Sequence, residues 1–264
     1  MSMILHPVRP LFLSALLLAL AACAPLRSAL NTEVRPVSPA MDEAALAAGE
    51  LRIAASALQS GDLDVAQSLY RELSESHPGQ TAVWMGLGNT YFLQANYEAA
   101  RTAYERAAQR SPDLPEAQLA LARVDVRVRA FDEARARYQR ILAQAPDDPV
   151  ALAGLGVVYD LTGQHDLAQQ TYRKGLAVHK QDEVLRTNLG LSLALSGKPR
   201  EAVNMLLGYD GVASGLPQRR DNLALAYGLL GREDAAENIL LTYQPRGQVQ
   251  DNLAFYRYLR EHIK

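Results

Sequence analysis

Six alanines spaced 34 residues apart, Ala66, Ala100, Ala134, Ala168, Ala202 and Ala236, constrain this chain more than any other feature it carries. With Ala47 as the first position, successive units begin at Thr81, Pro115, Pro149, Glu183 and Pro217, with no insertion needed. Other positions keep the same register. Position 8 is small throughout (Ala54, Gly88, Ala122, Gly156, Gly190, Ala224), and position 7 is Ile53, Leu87, Leu121, Leu155, Leu189 and Leu223. Position 24 is Tyr70, Tyr104, Tyr138, Tyr172, Leu206 and Leu240.

This pattern describes a helical hairpin repeated along the chain. Two antiparallel helices approach to the short end of the usual axis separation only where side-chain bulk is missing, which explains the small residues at 8 and 20. One hairpin cannot cover its own apolar stripe, so the large residues at 7 and 24 must be buried against a neighbour. Gly61, Gly163, Gly197 and Gly231 stand at position 15, where the first helix ends in a left-handed residue. Pro78, Pro112 and Pro146 stand at position 32, where the second helix stops. The pattern resembles the tetratricopeptide repeat, most closely in the second unit: Trp84, Leu87, Gly88, Tyr91, Ala100, Tyr104, Ala107 and Pro112. The resemblance runs from Ala47 to Gln250 and implies an all-α, right-handed superhelical solenoid.

Departures from the pattern carry their own expectations. Asp125 replaces an aromatic at position 11, and Arg129 occupies the turn-glycine position, predicting a different turn there. Lys180 replaces the proline that ends the fourth unit, predicting a helix that runs on toward the fifth. Three glycines between Gly208 and Leu216 predict an early end to the fifth unit's second helix and a loop after it. Asp221-Asn222-Leu223-Ala224 recurs as Asp251-Asn252-Leu253-Ala254 after only 30 residues, predicting a shortened last hairpin and a solitary final helix. Arg257, Arg260, Glu261 and Lys264 give that capping helix a polar outer face.

The N-terminus says where such an array is kept. The run from Leu11 to Ala22 follows Arg9 and His6 and precedes a small-residue cleavage site, the three parts of a secretory signal. It is too short to span a bilayer. Leu20-Ala21-Ala22-Cys23 resembles the bacterial lipobox, which implies acylation of Cys23 and a mature chain beginning there. Cys23 is the single cysteine, so no disulfide is available to protect its thiol. Acyl chains contribute about 0.8 kcal/mol per buried methylene, enough for two or three chains to hold a domain on a membrane. Ala24, where an Asp would retain such a lipoprotein at the inner membrane, points to the outer membrane of a Gram-negative cell, periplasmic face. Pro25, Pro36 and Pro39, with small polar residues between, read as a tether. The expected organisation is a removed signal over 1–22, a lipidated tether over 23–41, six repeats over 42–250 and a capping helix over 251–264.

Composition removes several function classes. A formal net charge of -2 and an estimated pI of 6.2 leave no basic footprint for nucleic acid, and Arg101, Arg106 and Arg110 read as solvated helix-face residues. No histidine has a second ligand at metal-site spacing, so neither a metal nor a cofactor is expected. Gly86-Leu87-Gly88 and Gly154-Leu155-Gly156 lie inside helices and lack the preceding strand and third glycine of a phosphate loop. No catalytic residue and no small-molecule substrate are expected.

Binding remains. In the tetratricopeptide family, positions 2, 5, 9 and 12 of each first helix face a ligand, here a mostly apolar lining with a few amides and one cation. Met85, Asn89, Phe92 and Arg123, with Asn188 and Asn222 beside them, are the candidate partner-binding groove. Leu119, Val157 and Leu191 could equally serve as packing between adjacent helices. Such a groove suits an amphipathic helix or an apolar segment.

Lipobox, tether and array together resemble the TadD-like tetratricopeptide lipoproteins of Tad/Flp pilus assembly. The likeness rests on Gly156 to Gly163, Asn188 to Gly197 and Asp221 to Gly231. It implies a pilotin-like scaffold that reaches the membrane through its lipid anchor and holds a secretin or another pilus-assembly protein. A type IV pilus pilotin, a barrel-assembly lipoprotein, and a regulator docking on a cell-wall synthase or hydrolase remain open alternatives.

Overall fold

The computed structural model describes residues 39–207 and 217–262, all α-helix and short turns, with no strand among them. Cys23, the tether ahead of Pro39, the loop from Gly208 to Leu216, and Lys264 lie outside the described residues. Thirteen helices are described. They pair as α1 (Pro39–Ser60) with α2 (Leu63–Ser76), α3 (Thr81–Leu93) with α4 (Tyr97–Arg110), and α5 (Pro115–Arg127) with α6 (Phe131–Gln144). Next come α7 (Pro149–Leu161) with α8 (His165–Val178), α9 (Glu183–Leu195) with α10 (Pro199–Leu207), α11 (Pro217–Leu229) with α12 (Glu233–Leu240), and finally α13 (Arg246–His262). Each helix from α2 to α12 packs on its successor, the first helices of neighbouring hairpins also touch from α5 to α11, and α13 packs on α11 and α12. This is the stacked-hairpin solenoid the period implies. Among the described residues, no helix is long and apolar enough to cross a membrane.

The core follows the repeat register. The alanines at position 20 and the Tyr or Leu at position 24 are buried in all six hairpins. Leu87 joins Tyr70 and Leu73 of the preceding hairpin in one cluster. Position 7 thus packs backwards along the array, and Ile53, in the first hairpin, is 60% exposed. The expectation that it is buried like its five equivalents is corrected on that ground.

Packing around position 24 obeys a rule finer than smallness. A Cβ added to Gly86 would stand 2.2 Å from the Tyr70 ring, and one on Gly88 2.5 Å from Tyr104. Gly154 meets Tyr138, Gly156 meets Tyr172 and Gly190 meets Leu206 in the same way. Each of the first five position-24 side chains therefore lies against one glycine, drawn either from position 8 of its own hairpin or from position 6 of the next. Where position 8 is Ala (Ala54, Ala122), position 6 of the following hairpin is Gly; where position 8 is Gly, position 6 is Ala120, Asn188 or Asn222.

Several turn expectations change. Position 15 has positive φ in all six hairpins: Gly61 (80°), Ala95 (59°), Arg129 (62°), Gly163 (74°), Gly197 (75°) and Gly231 (83°). The Arg129 turn is thus the same as the others, closed by Ala130 N–H on Asp125 C=O at 2.8 Å, as Gln164 N–H closes on Tyr159 C=O at 2.8 Å. Left-handed backbone costs a residue with a Cβ about 1 kcal/mol. Ala95→Gly is accordingly expected to stabilise the array by about 0.5–1 kcal/mol, seen as a higher midpoint in urea at unchanged slope.

α8 does not run on: it ends at Val178, as long as α2, α4 and α6. His179 N–H bonds the Gly175 carbonyl at 2.8 Å, the His179 ring bonds the Asp147 carbonyl at 2.7 Å, and Asp182 caps α9 by accepting from Leu185 N–H at 2.8 Å. Local capping thus replaces the missing proline. α12 is short at eight residues, as expected of the last hairpin, and α10 is described as far as Leu207, so the expected early end of that helix lies outside the described residues. The final helix begins at Arg246 rather than 251, and α1 begins at Pro39, inside the segment read as tether. The outer face of α13 is only partly polar: Arg257 and Arg260 pair with Glu233, but Phe255 and Tyr258 are exposed beside them.

The arginines of α4 are not free solvated groups. Arg101 pairs with Asp125 at 2.8 Å, and Arg137 of α6 grips the other oxygen of that carboxylate at 2.7 Å. Asp125 is only 1% exposed. Arg106 and Arg110 lie over the Trp84 ring at 5.6 and 5.5 Å. Position 11 thus holds a two-arginine clamp between α4, α5 and α6 where the repeat usually packs an aromatic.

Burial of the position-24 phenols sets the alkaline limit of the fold. Loss of water holds Tyr70 and Tyr172 above the ordinary 10.0 and lifts Tyr104 and Tyr138 to about 12, against a partial lowering by the Arg123 charge at the latter two. The native state keeps protons that the unfolded chain releases, so this stability is complete below pH 10 and is lost as pH rises through the native values. Each such tyrosine removes about 1.4 kcal/mol per pH unit in that window. Helical circular dichroism is expected to collapse between pH 10 and pH 12 as phenolate absorbance from the same residues appears; phenolate appearing while the helix signal persists would show these rings to be accessible.

Candidate functional site

The first helices of four successive hairpins line a cleft of about 320 Å³. α3 contributes Phe92, α5 contributes Arg123, Val126 and Arg127, α7 contributes Val150, Ala153, Gly154 and Val157, and α9 contributes Val184 and Asn188, with the Tyr138 ring of α6 behind them. Two of these valines stand free of the core: Val150 is 53% and Val184 47% exposed. A β-branched residue at position 2 of a helix does little for the helix itself. Recurring there on consecutive hairpins, it makes an apolar rail.

The expected groove residues divide. Phe92, Arg123 and Asn188 come together along the cleft. Met85 does not line it and instead packs partly buried on the cluster of Ala100, Tyr104, Ala120, Leu121 and Val124. Asn89 accepts the Tyr104 hydroxyl at 2.8 Å, tying α3 to α4, and Asn222 reaches the Thr187 carbonyl at 3.4 Å, tying α11 to α9. Val157, which sequence left between groove and packing, lines the cleft. Tyr138 and Gly154 were missed. Their signal is the pairing rule above: glycine at position 6 lets the preceding tyrosine ring reach through to the cleft.

Electrostatics within the cleft are uneven. Arg127 donates twice to the Tyr97 hydroxyl, from Nε at 2.8 Å and Nη2 at 2.6 Å, and lies over the same ring. Arg123 lies over the Phe92 ring at 5.6 Å and interacts with the Tyr104 hydroxyl, and among the described residues no carboxylate is within ion-pair distance of it.

A second polar cluster holds hairpins together. Asp160 accepts from Ser192 Oγ at 2.6 Å and Tyr172 Oη at 2.9 Å, and its carboxylate lies 2.8 Å from His165 Nδ1. Ser, His and Asp thus meet, but Ser192 is fully buried and bonds the carboxylate, not the imidazole that would have to activate it. Among the described residues no three metal-ligating side chains gather.

Family models for the tetratricopeptide repeat match residues 51–115, and again 94–155 and 126–189. The chain belongs to the tetratricopeptide-repeat family. No curated protein matches the sequence. Among solved structures, a thermophilic tetratricopeptide protein of Thermus thermophilus shares 22% identity and a TM-score of 0.57, over 68% of this chain and 100% of that one. PilF of Pseudomonas aeruginosa shares 14% identity and a TM-score of 0.60, over 81% of this chain and 98% of that one. PilW, described as a widely conserved type IV pilus biogenesis factor, shares 18% identity and a TM-score of 0.64, over 83% of this chain and 99% of that one. At these identities the likeness is one of fold. A tetratricopeptide array with an open apolar cleft is a scaffold for protein–protein interaction.

Proposed function

We propose that this chain is an outer-membrane lipoprotein, anchored through Cys23, whose cleft holds a segment of a secretin or another pilus-assembly protein of the Tad/Flp type while the machine is built. The observation that carries the binding half is the rail of exposed valines crossing α7 and α9 beside Phe92 and Arg123. Exposed β-branched side chains aligned along one cleft fit an extended or helical segment read as spaced anchors. The lipobox residues Leu20 to Cys23 support the membrane half. Likeness of fold to two pilus proteins over more than four fifths of the chain supports a place in pilus assembly, without selecting the Tad/Flp type. It also favours a second reading, a type IV pilus pilotin. Secretin and assembly proteins that co-purify after cross-linking distinguish the two.

Val150→Asp with Val184→Asp tests the cleft better than substitutions at Met85 or Phe92, which also pack on the core. Both valines are exposed, so helix content and melting temperature should hold while partner capture falls at least tenfold, from roughly 1–3 kcal/mol of lost apolar contact and added charge desolvation. Capture unchanged would move the site off the cleft. Cys23→Ser is expected to release a folded protein from the membrane fraction; continued residence in the outer membrane would remove the lipid anchor from the proposal.

A further inference from the structure

Arg123 is the feature of the cleft that binding of an apolar segment leaves unexplained. Its neighbours hold it in place: the guanidinium lies 5.6 Å above the Phe92 ring, and its charge acts on the Tyr104 phenol, which donates to Asn89 Oδ1 at 2.8 Å. That chain, aromatic face on one side and an oriented phenol on the other, fixes a long side chain that would otherwise wander. Every other arginine close by is spent. Arg127 is held by Tyr97, while Arg101 and Arg137 share Asp125. Arg123 and Arg127 both border the valine rail with no carboxylate within ion-pair distance among the described residues, and of the two Arg123 is the one whose guanidinium is not already donating to Tyr97.

We propose that the segment bound in this cleft is an acidic amphipathic one, whose apolar side chains lie on Val150, Val157 and Val184 and whose Asp or Glu side chain pairs with Arg123. The proposal rests on the cleft being the binding site, as argued above, and adds the chemistry of its occupant. Charge complementarity selects the class: a planar guanidinium flanked by apolar surface favours a carboxylate that can take two parallel N–H bonds, and a lysine-bearing segment would be repelled. A side-chain carboxylate is selected over a chain terminus. Gripping a terminal carboxylate calls for several converging donors, and here Arg127 is already committed while Asn188 lies two hairpins away along the cleft.

A displayed library of random peptides, selected on the full chain, reads this directly. Selected sequences should combine spaced Leu, Ile, Val or Phe with an Asp or Glu, and selection on Arg123→Glu should replace the acid by Lys or Arg. A synthetic selected peptide should bind roughly ten- to a hundredfold more weakly when its Glu is changed to Gln, or when Arg123→Gln is used, and equally well with its C-terminus amidated. Arg123 is exposed, and unchanged melting of both variants excludes misfolding as the cause. Apolar peptides without acid preference, still lost on Val150→Asp with Val184→Asp, would overturn the carboxylate pairing and leave the cleft standing. Loss on amidation would overturn the choice of a side-chain acid. Selected peptides indifferent to the valine substitutions would overturn the cleft and this proposal with it.

Discussion

Gly88→Ala is expected to cost the array about 2 kcal/mol, and the cost is expected to shrink when Ala120→Gly is added. A Cβ on Gly88 would stand 2.5 Å from the Tyr104 ring, so ring or helix must shift in a core with no spare volume. Intrinsic helix preference runs the other way, favouring Ala by about 1 kcal/mol, so a net loss can come only from packing. Ala120 lies in the same buried cluster as Tyr104, on the next hairpin. Removing its methyl reproduces the arrangement already present around Tyr70 and Tyr138, where glycine stands at position 6 and alanine at position 8. Alone, Ala120→Gly should lose about 1 kcal/mol through helix propensity and lost contact. The double variant should be better than the sum of the singles by about 1–2 kcal/mol, a coupling read from denaturant midpoints in a double-mutant cycle. Additive losses would show that the ring does not choose between two seats. Gly88→Val, which no neighbouring glycine can accommodate, should lose more than about 3 kcal/mol and melt at least 6 °C lower.

The second large effect belongs to the Asp125 clamp. Replacing Arg101 and Arg137 together by Met leaves a carboxylate that is 1% exposed without either cation, with an expected loss of about 3 kcal/mol. That figure stands at the low end for a broken buried pair because both arginines are about one quarter exposed and already partly hydrated. Adding Asp125→Leu should recover most of the loss, since an apolar triad of similar volume has no ion to desolvate. Thermal melting of the double and triple variants gives the comparison. A double variant as stable as the parent would mean that water reaches the carboxylate, and a triple variant no better than the double would assign the loss to packing of the arginine stems.

Much of this was legible residue by residue. The 34-residue register named every helix pair because a repeated hairpin must present the same face at each step, but the left-handed turn at Arg129 was misread as different, because the local residue argues against a backbone that the repeated hairpin imposes. The stop of α8 at Val178 was not legible from the absent proline, because His179 and Asp182 terminate and restart the chain by hydrogen bonds that a search for proline does not see. Arg101 read as a surface residue because its partner lies 24 positions away, on the next hairpin. For the cleft, family positions located Phe92 and Arg123, with Asn188 beside them at position 6, whereas Met85 and Asn89 at family positions and Asn222 at position 6 are turned to packing and inter-helix bonds by neighbours that sequence does not display.

The sequence by itself determined the unit, its length, its number and its core, because period and side-chain size are local properties that every hairpin repeats. Only the tertiary structure decided which glycine seats each tyrosine, which arginines share a carboxylate and that Arg127, but not Arg123, is tied to Tyr97 beside the valine rail. Those choices depend on contacts between residues on successive hairpins, where volume and charge are balanced across an interface that no single repeat contains.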